Sequence, residues 1–134
     1  MSSTMPFGGR CTRAGMYLTS EDRGAAVVVT ITTARLDSAS AIDTREVLRK
    51  VVRDDRDVYL FDLSNVTFID SSGIGTLVGF VKFVGPDKRV DLCAVTPPVR
   101  KIFRLTNLLS IFQTHQTVED GLTAHQASRD AAAG

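Results

Sequence analysis

The run V-Y-L-F-D-L, Val58 to Leu63, constrains the fold of this chain more than any other segment. It is too short for a helix, and its apolar residues fall on both faces of a strand. Such a strand must be covered on both sides, as in a parallel sheet flanked by helices. The surrounding chain supplies the covers. From Asp37 a polar D-S-A-S start is followed by Ile42, Val47, Leu48 and Val51 at nearly helical spacing. After the strand, S-N-V-T-F-I-D reads as a loop. Beyond it Ile74, Leu77, Val78, Val81 and Val84 recur at i, i+3, i+4, i+7 and i+10, one face of a helix that Gly85-Pro86 ends.

The same alternation extends in both directions. Met16 to Leu18 and the β-branched run Ala25 to Thr33 predict two strands, with a hairpin turn at Glu21 to Gly24. Arg89 to Val95 predicts another strand, and a helix opens at Pro97-Pro98 with Val99, Ile102, Phe103 and Leu105 along it. A short strand at Ser110 to Thr114 and a helix from about Val118 complete the pattern. Strands alternating with helices predict an α/β fold, a mostly parallel mixed sheet with helices packed on it. Residues 1–14 and 127–134 carry no periodic pattern and read as flexible tails around a domain spanning 15–126.

Composition narrows the function. A chain of 134 residues, 43% hydrophobic and 23% charged, is the size of one domain and needs no metal or disulfide to fold. Cys11 and Cys93 are the only cysteines and are too far apart for a C-x-x-C element, which argues against a zinc site or redox pair and for a reducing compartment. Sixteen Lys and Arg against fifteen Asp and Glu give a net charge of +1, without the basic excess that phosphate-backbone binding needs, so no nucleic-acid partner is expected. The apolar stretch Ser71 to Val81 is broken by glycines and closed by Lys82, short of a membrane span. The start lacks the pattern of a signal peptide, and the expected location is the cytoplasm.

The segment F-I-D-S-S-G-I-G, Phe68 to Gly75, places an acid, two hydroxyls and a glycine where a loop enters an apolar helix. Asp70 or Ser71 can cap that helix, and the cap alone would explain both residues. A helix N-terminus also favours anions, so a serine there is a candidate phosphoacceptor. Other chemistries fit less well. A nucleophile elbow needs G-x-S-x-G, and the only histidines, His115 and His125, read as surface residues. Gly73, Gly75 and Gly79 do not complete G-x-G-x-x-G because Val78 stands at the last position, so they read as small residues that allow close approach. Asp54 and Asp55 read as a solvated turn, Arg100, Lys101 and Arg104 as a solvated helix face, and Cys93 as a core residue.

These residues together resemble the STAS domain family, and within it the single-domain anti-sigma factor antagonists. The likeness runs from about Ala25 to Leu122. Its most specific part is D-L-S-N-V-T-F-I-D-S-S-G-I-G, similar to the family's strand, loop and D-S-[S/T]-G phosphorylation motif. A-R-L-D, L-C-A-V-T-P-P-V-R-K-I-F and L-T-N-L-L-S-I-F follow the family's order. The resemblance implies that Ser71 is phosphorylated by an anti-sigma factor serine kinase, with Ser72 the second choice. It implies a partner-binding face of Asp37, Asp70, Ser71, Ser72, Gly73, Ile74 and Thr96. The unphosphorylated form would bind the anti-sigma factor and release its sigma factor, and a phosphatase is a further candidate partner. The chain would need no cofactor, since ATP would bind the kinase. It departs from many relatives at Ala34-Arg35, where they carry Gly-Glu. Two other readings stay open: an unphosphorylated STAS subunit of a lipid-transport or sensory assembly, and a small anion- or nucleotide-dependent hydrolase using Ser71 or Ser72.

Overall fold

A computed structural model describes residues 11–13, 17–24, 26–52 and 57–133. Residues 1–10 of the expected first tail, Asp54 and Asp55 lie outside the described residues, as do Met16 and Ala25, where two strands were expected to begin. The elements in chain order are β1 (Cys11–Arg13), β2 (Leu18–Arg23), β3 (Ala26–Ile31), β4 (Arg35–Leu36), α1 (Ser38–Val51), β5 (Val58–Asp62), β6 (Phe68–Ile69) and α2 (Ser71–Val84). There follow β7 (Arg89–Cys93), α3 (Pro97–Leu105), a 3₁₀ turn (Leu108–Ser110), β8 (Gln113–His115) and α4 (Val118–Ala133).

The main sheet has the order β1-β2-β3-β5-β7-β8, antiparallel at its first two pairings and parallel from β3 to β8. The three runs expected as central neighbours, now β3, β5 and β7, lie side by side in that order. Their alternating residues feed two cores. Val27, Val29, Ile31, Tyr59, Phe61 and Leu92 belong to the core shared with α1, α2 and α3, whereas Ala26, Val28, Val58, Leu60 and Cys93 pack with Val118 and Leu122 of α4. Covered faces on both sides explain why V-Y-L-F-D-L shows no apolar–polar alternation. Phe80 of α2 seals the larger core, its ring edge-on to Tyr59 at 5.4 Å and to Phe61 at 5.1 Å.

Several boundaries and faces differ from the sequence expectation. β2 continues through Glu21 and Asp22 to Arg23, and the reversal falls at Gly24, whose φ of 67° favours glycine. The backbone of Cys11–Arg13 pairs with β2, and α4 continues through Ala133, so both expected tails contain regular structure. The buried stripe of α1 is Ala41, Thr44, Leu48 and Val51, and Ile42, one position round the helix, is 68% exposed. The small residues Ser40, Ala41 and Thr44 are buried instead, and Ser40 Oγ donates to the carbonyl of Arg35 in β4. On α2 the buried residues are Gly73, Thr76, Leu77 and Phe80. Leu77 is buried as expected, but Val78 and Val81 are only half-buried, because the inward face is centred on Gly73, Thr76, Leu77 and Phe80 and the two valines lie at its edge. Leu105, at the end of α3, is 77% exposed. β8 begins at Gln113 because Leu108–Ser110 forms the 3₁₀ turn after Asn107, itself at φ 62°.

His115 is not a surface residue. Its side chain is buried against Asp91, with Nε2 2.9 Å from Oδ2. Arg89 Nε donates to both oxygens of the same carboxylate at 3.1 Å, and Arg89 also reaches Gln113. Asp91 is 3% exposed, and this paired arrangement is what makes a buried carboxylate tolerable.

Candidate functional site

Two very short strands build the site. β4 pairs in parallel with β6, setting Arg35 opposite Phe68 and Leu36 opposite Ile69. Leu36 and Ile69 are buried and anchor the pair in the larger core. The next residue in each chain is an aspartate, and each aspartate caps a helix: Asp37 for α1 and Asp70 for α2. In-register pairing therefore brings two helix N-termini together, with Ser38 and Ser71 as the first residues of their helices.

The caps interlock. Asp37 Oδ1 accepts from Ala39 N–H at 3.1 Å, and Ser40 Oγ accepts from Asp37 N–H at 3.2 Å, a reciprocal arrangement that satisfies two free donors. Asp70 Oδ1 accepts from the N–H groups of Ser72 and Gly73 at 2.9 and 3.1 Å. Its other oxygen accepts from Ser38 N–H of α1 at 3.3 Å. Gly73 is required by this closeness: a Cβ there would collide with the carbonyl oxygen of Leu36 and press on Ile69. The same test at Gly75 and Gly79 meets nothing within 4 Å, so no contact inside the chain requires glycine there.

Ser71 is exposed at the tip of α2, and Ser72 is half-buried with its carbonyl accepting from Thr76 Oγ1 at 3.0 Å. Ile74 is half-buried against the larger core. Thr96, the residue before α3, turns its hydroxyl inward and donates to the carbonyl of Val66 at 2.6 Å, which holds the segment leading into β6. The candidate residues Asp37, Asp70, Ser71, Ser72 and Gly73 thus share one corner, Ile74 lies just beneath it, and Thr96 supports it from behind. No hydrogen bond joins either serine hydroxyl to a histidine among the described residues; His115 pairs with Asp91 instead.

Arg35 enters the site from its edge. Its guanidinium lies 4.1 Å from the centre of the Phe68 ring, and Nε donates to Asp37 Oδ2 at 3.2 Å while the side chain stays 62% exposed. Sequence reasoning missed this contact and the β4–β6 pairing. A signal was present. R-L-D-S and F-I-D-S repeat one pattern of apolar residue, aspartate and serine at two places, the mark of two strand ends feeding two capped helices.

Among the described residues no helix is long and apolar enough to cross a membrane, and no group of three or more His, Cys, Asp or Glu side chains could hold a metal ion. A model of the STAS domain matches residues 17–121. Staphylococcus aureus proteins named anti-sigma-B factor antagonist are 30% identical over 86 residues, covering 63% of this chain and 79% of theirs. The crystal structure of an anti-sigma factor antagonist from Mycobacterium paratuberculosis superimposes with a TM-score of 0.73 at 26% identity, covering 86% of this chain and 97% of that one. The anti-sigma factor antagonist SpoIIAA of Bacillus, solved in its unphosphorylated form, shares the fold with a TM-score of 0.65 at 21% identity, over 82% of this chain and 96% of its own. The chain belongs to the STAS domain family and, with these relatives, to its anti-sigma factor antagonists, which are binding proteins and not enzymes.

Proposed function

We propose that this chain is a phosphorylation-controlled antagonist that docks on an anti-sigma factor serine kinase in the cytoplasm, releasing a sigma factor and so regulating transcription, for instance in a stress response. The observation that carries this reading is the exposed Ser71 hydroxyl beside the capping carboxylate of Asp70, at the corner where Asp37 caps the neighbouring helix. The names of the Staphylococcus relatives and the solution of SpoIIAA in both unphosphorylated and phosphorylated forms support it.

The switch is electrostatic. A phosphate on Ser71 brings about −1.5 to −2 charges at pH 7 into a corner that already holds two carboxylates. The N–H groups of Ser72 and Gly73, which would otherwise attract an anion, are occupied by Asp70. The added charge therefore faces outward, where it repels a docked partner and resists desolvation without refolding the domain. Ser71 is preferred over Ser72 because its side chain is the more exposed of the two.

The test has two parts. Incubation with the kinase recovered by pull-down, and with ATP, should add one phosphate at Ser71, and the Ser71→Ala variant should stay unmodified. Ser71→Glu should weaken docking while Ser71→Ala preserves it. Modification confined to Ser72 would overturn the assignment of Ser71, and equal affinity of the two folded variants would move the function to an unphosphorylated interaction subunit.

A further inference from the structure

The two capped helices start together at Asp37 and Asp70 and run side by side. Their alignment persists, since Arg49 near the end of α1 lies 5.7 Å from the ring centre of Phe83 near the end of α2. Between them lies a groove of about 330 Å³, lined by Arg45, Arg49, Gly75, Gly79, Phe80 and Phe83 among others. Arg45 and Arg49 stand one helical turn apart on one wall, about 6 Å along the axis, and Gly75 and Gly79 match that spacing on the other. The glycines follow Ser71 at intervals of four, so the groove continues down the helix stripe that begins at the acceptor serine.

Three features fit a docked chain. Neither arginine makes an ion pair among the described residues, which leaves two cations at the groove wall. Phe83 at the far end is 52% exposed, and Ile42 stands exposed on α1 toward the cap end. The glycine floor is smooth and open, although alanine would favour the helix. The volume accommodates a few apolar side chains but not a whole helix, so a partner would lie across the groove and insert one edge.

We infer that the α1–α2 groove docks an acidic amphipathic helix of the partner protein, with carboxylates one turn apart on Arg45 and Arg49 and apolar side chains on the glycine floor against Phe83. The inference rests on the docking reading given above, and it adds the chemistry of the partner segment. Docking would then have two parts: a charge-sensitive corner at Ser71 and an apolar, cation-edged groove that phosphorylation does not touch.

A display library on a stable helical scaffold, randomised on one face, would be panned against the full chain. The Arg45→Glu/Arg49→Glu double variant serves for counter-selection, after its thermal unfolding has been shown to match the parent. Selected helices should carry Asp or Glu pairs four residues apart beside Leu, Ile or Phe. Their affinity should fall about tenfold or more on reversal of the two arginines. Gly79→Leu, which fills the groove without altering charge, should weaken the same helices, while Ser71→Glu should change their affinity less than the arginine reversal does. Absence of enrichment, selection of basic or uncharged helices, or binding indifferent to both groove variants would overturn the assignment. So would groove-confined amide shifts with decanoate in the absence of any selected helix, which would give the groove to a small amphiphilic anion. Failure of the Ser71 switch alone leaves these outcomes unaffected, so the two readings fail separately.

Discussion

Asp70 accepts the N–H of Ser38, the first residue of a helix to which it does not belong, while its other oxygen caps its own helix. One carboxylate thereby ties together the N-termini of α1 and α2. The site's geometry hangs on this bond as much as on the β4–β6 pairing, because both fix the separation of the two caps.

Asp70→Ala should leave the N–H groups of Ser72, Gly73 and Ser38 without their acceptor. Loss of a cap with several bonds is expected to cost about 1 to 3 kcal/mol. For a domain of this size that is a fall in Tm of roughly 3 to 6 °C per kcal/mol. Asp70→Asn keeps one acceptor oxygen and should lose less. Urea and thermal unfolding of the two variants give the comparison, and equal stability of Asp70→Ala and the parent would contradict the double cap.

The glycines of α2 should respond in opposite directions. Gly73→Ala forces a methyl group against the Leu36 carbonyl and is expected to destabilise by about 1 to 3 kcal/mol, as overpacking does. Gly75→Ala and Gly79→Ala meet open space and should stabilise by roughly 0.5 to 1 kcal/mol each. Unfolding midpoints decide this, and a stabilised Gly73→Ala would show that β4 and α2 are not in contact.

Core and surface positions on the helices should separate clearly. Leu77→Ala removes a fully buried side chain and should cost about 2 to 5 kcal/mol, with partner binding affected only through loss of folded protein. Ile42→Ala should change stability by less than about 0.5 kcal/mol. A large loss at Ile42 would mean that the sequence-based face of α1 was right after all.

Cys93 supplies a pH prediction. Burial first, and then the carboxylates of Asp91, Asp62 and Asp120, push its thiol from an ordinary value of 9.0 up to about 12. The unfolded thiol ionises from about pH 9, whereas the folded one stays protonated, so the contribution to stability is intact below that pH and is lost as pH rises toward 12. In a Cys11→Ser background the thiol should resist aromatic disulfide reagents at pH 8 and react only as fast as the chain opens. Cys93→Ala should flatten the alkaline decline. Rapid stoichiometric labelling of the folded chain would refute the burial.

How far the sequence revealed this depends on what each residue reports. Val58 to Leu63 was legible because a run apolar on both faces has few environments that suit it. Ile42 misled because hydrophobicity marks the large residue as the buried one, whereas the buried face of α1 includes the small or polar side chains of Ser40, Ala41 and Thr44. His115 misled for a related reason: its side chain is covered where Asp91 on the neighbouring strand offers it a hydrogen-bond partner, and strand neighbours are not adjacent in sequence. At the site, Asp70 was readable as a cap for its own helix, but its bond to Ser38 depends on a partner 32 residues away. β4 and β6, with two residues each, carry too little periodicity to announce a strand.

The β4–β6 ladder also bears on when the site comes into existence. Two paired residues on each side cannot hold together alone, and the loop they close contains all of α1 and β5. Closure of that loop waits on the packing of those elements, the slower kind of contact in folding. An unfolded or half-synthesised copy therefore carries the serine without the corner that displays it. A regulator that recognises the assembled corner would count only finished molecules, so the signal would scale with the folded pool and ignore misfolded chains, however abundant.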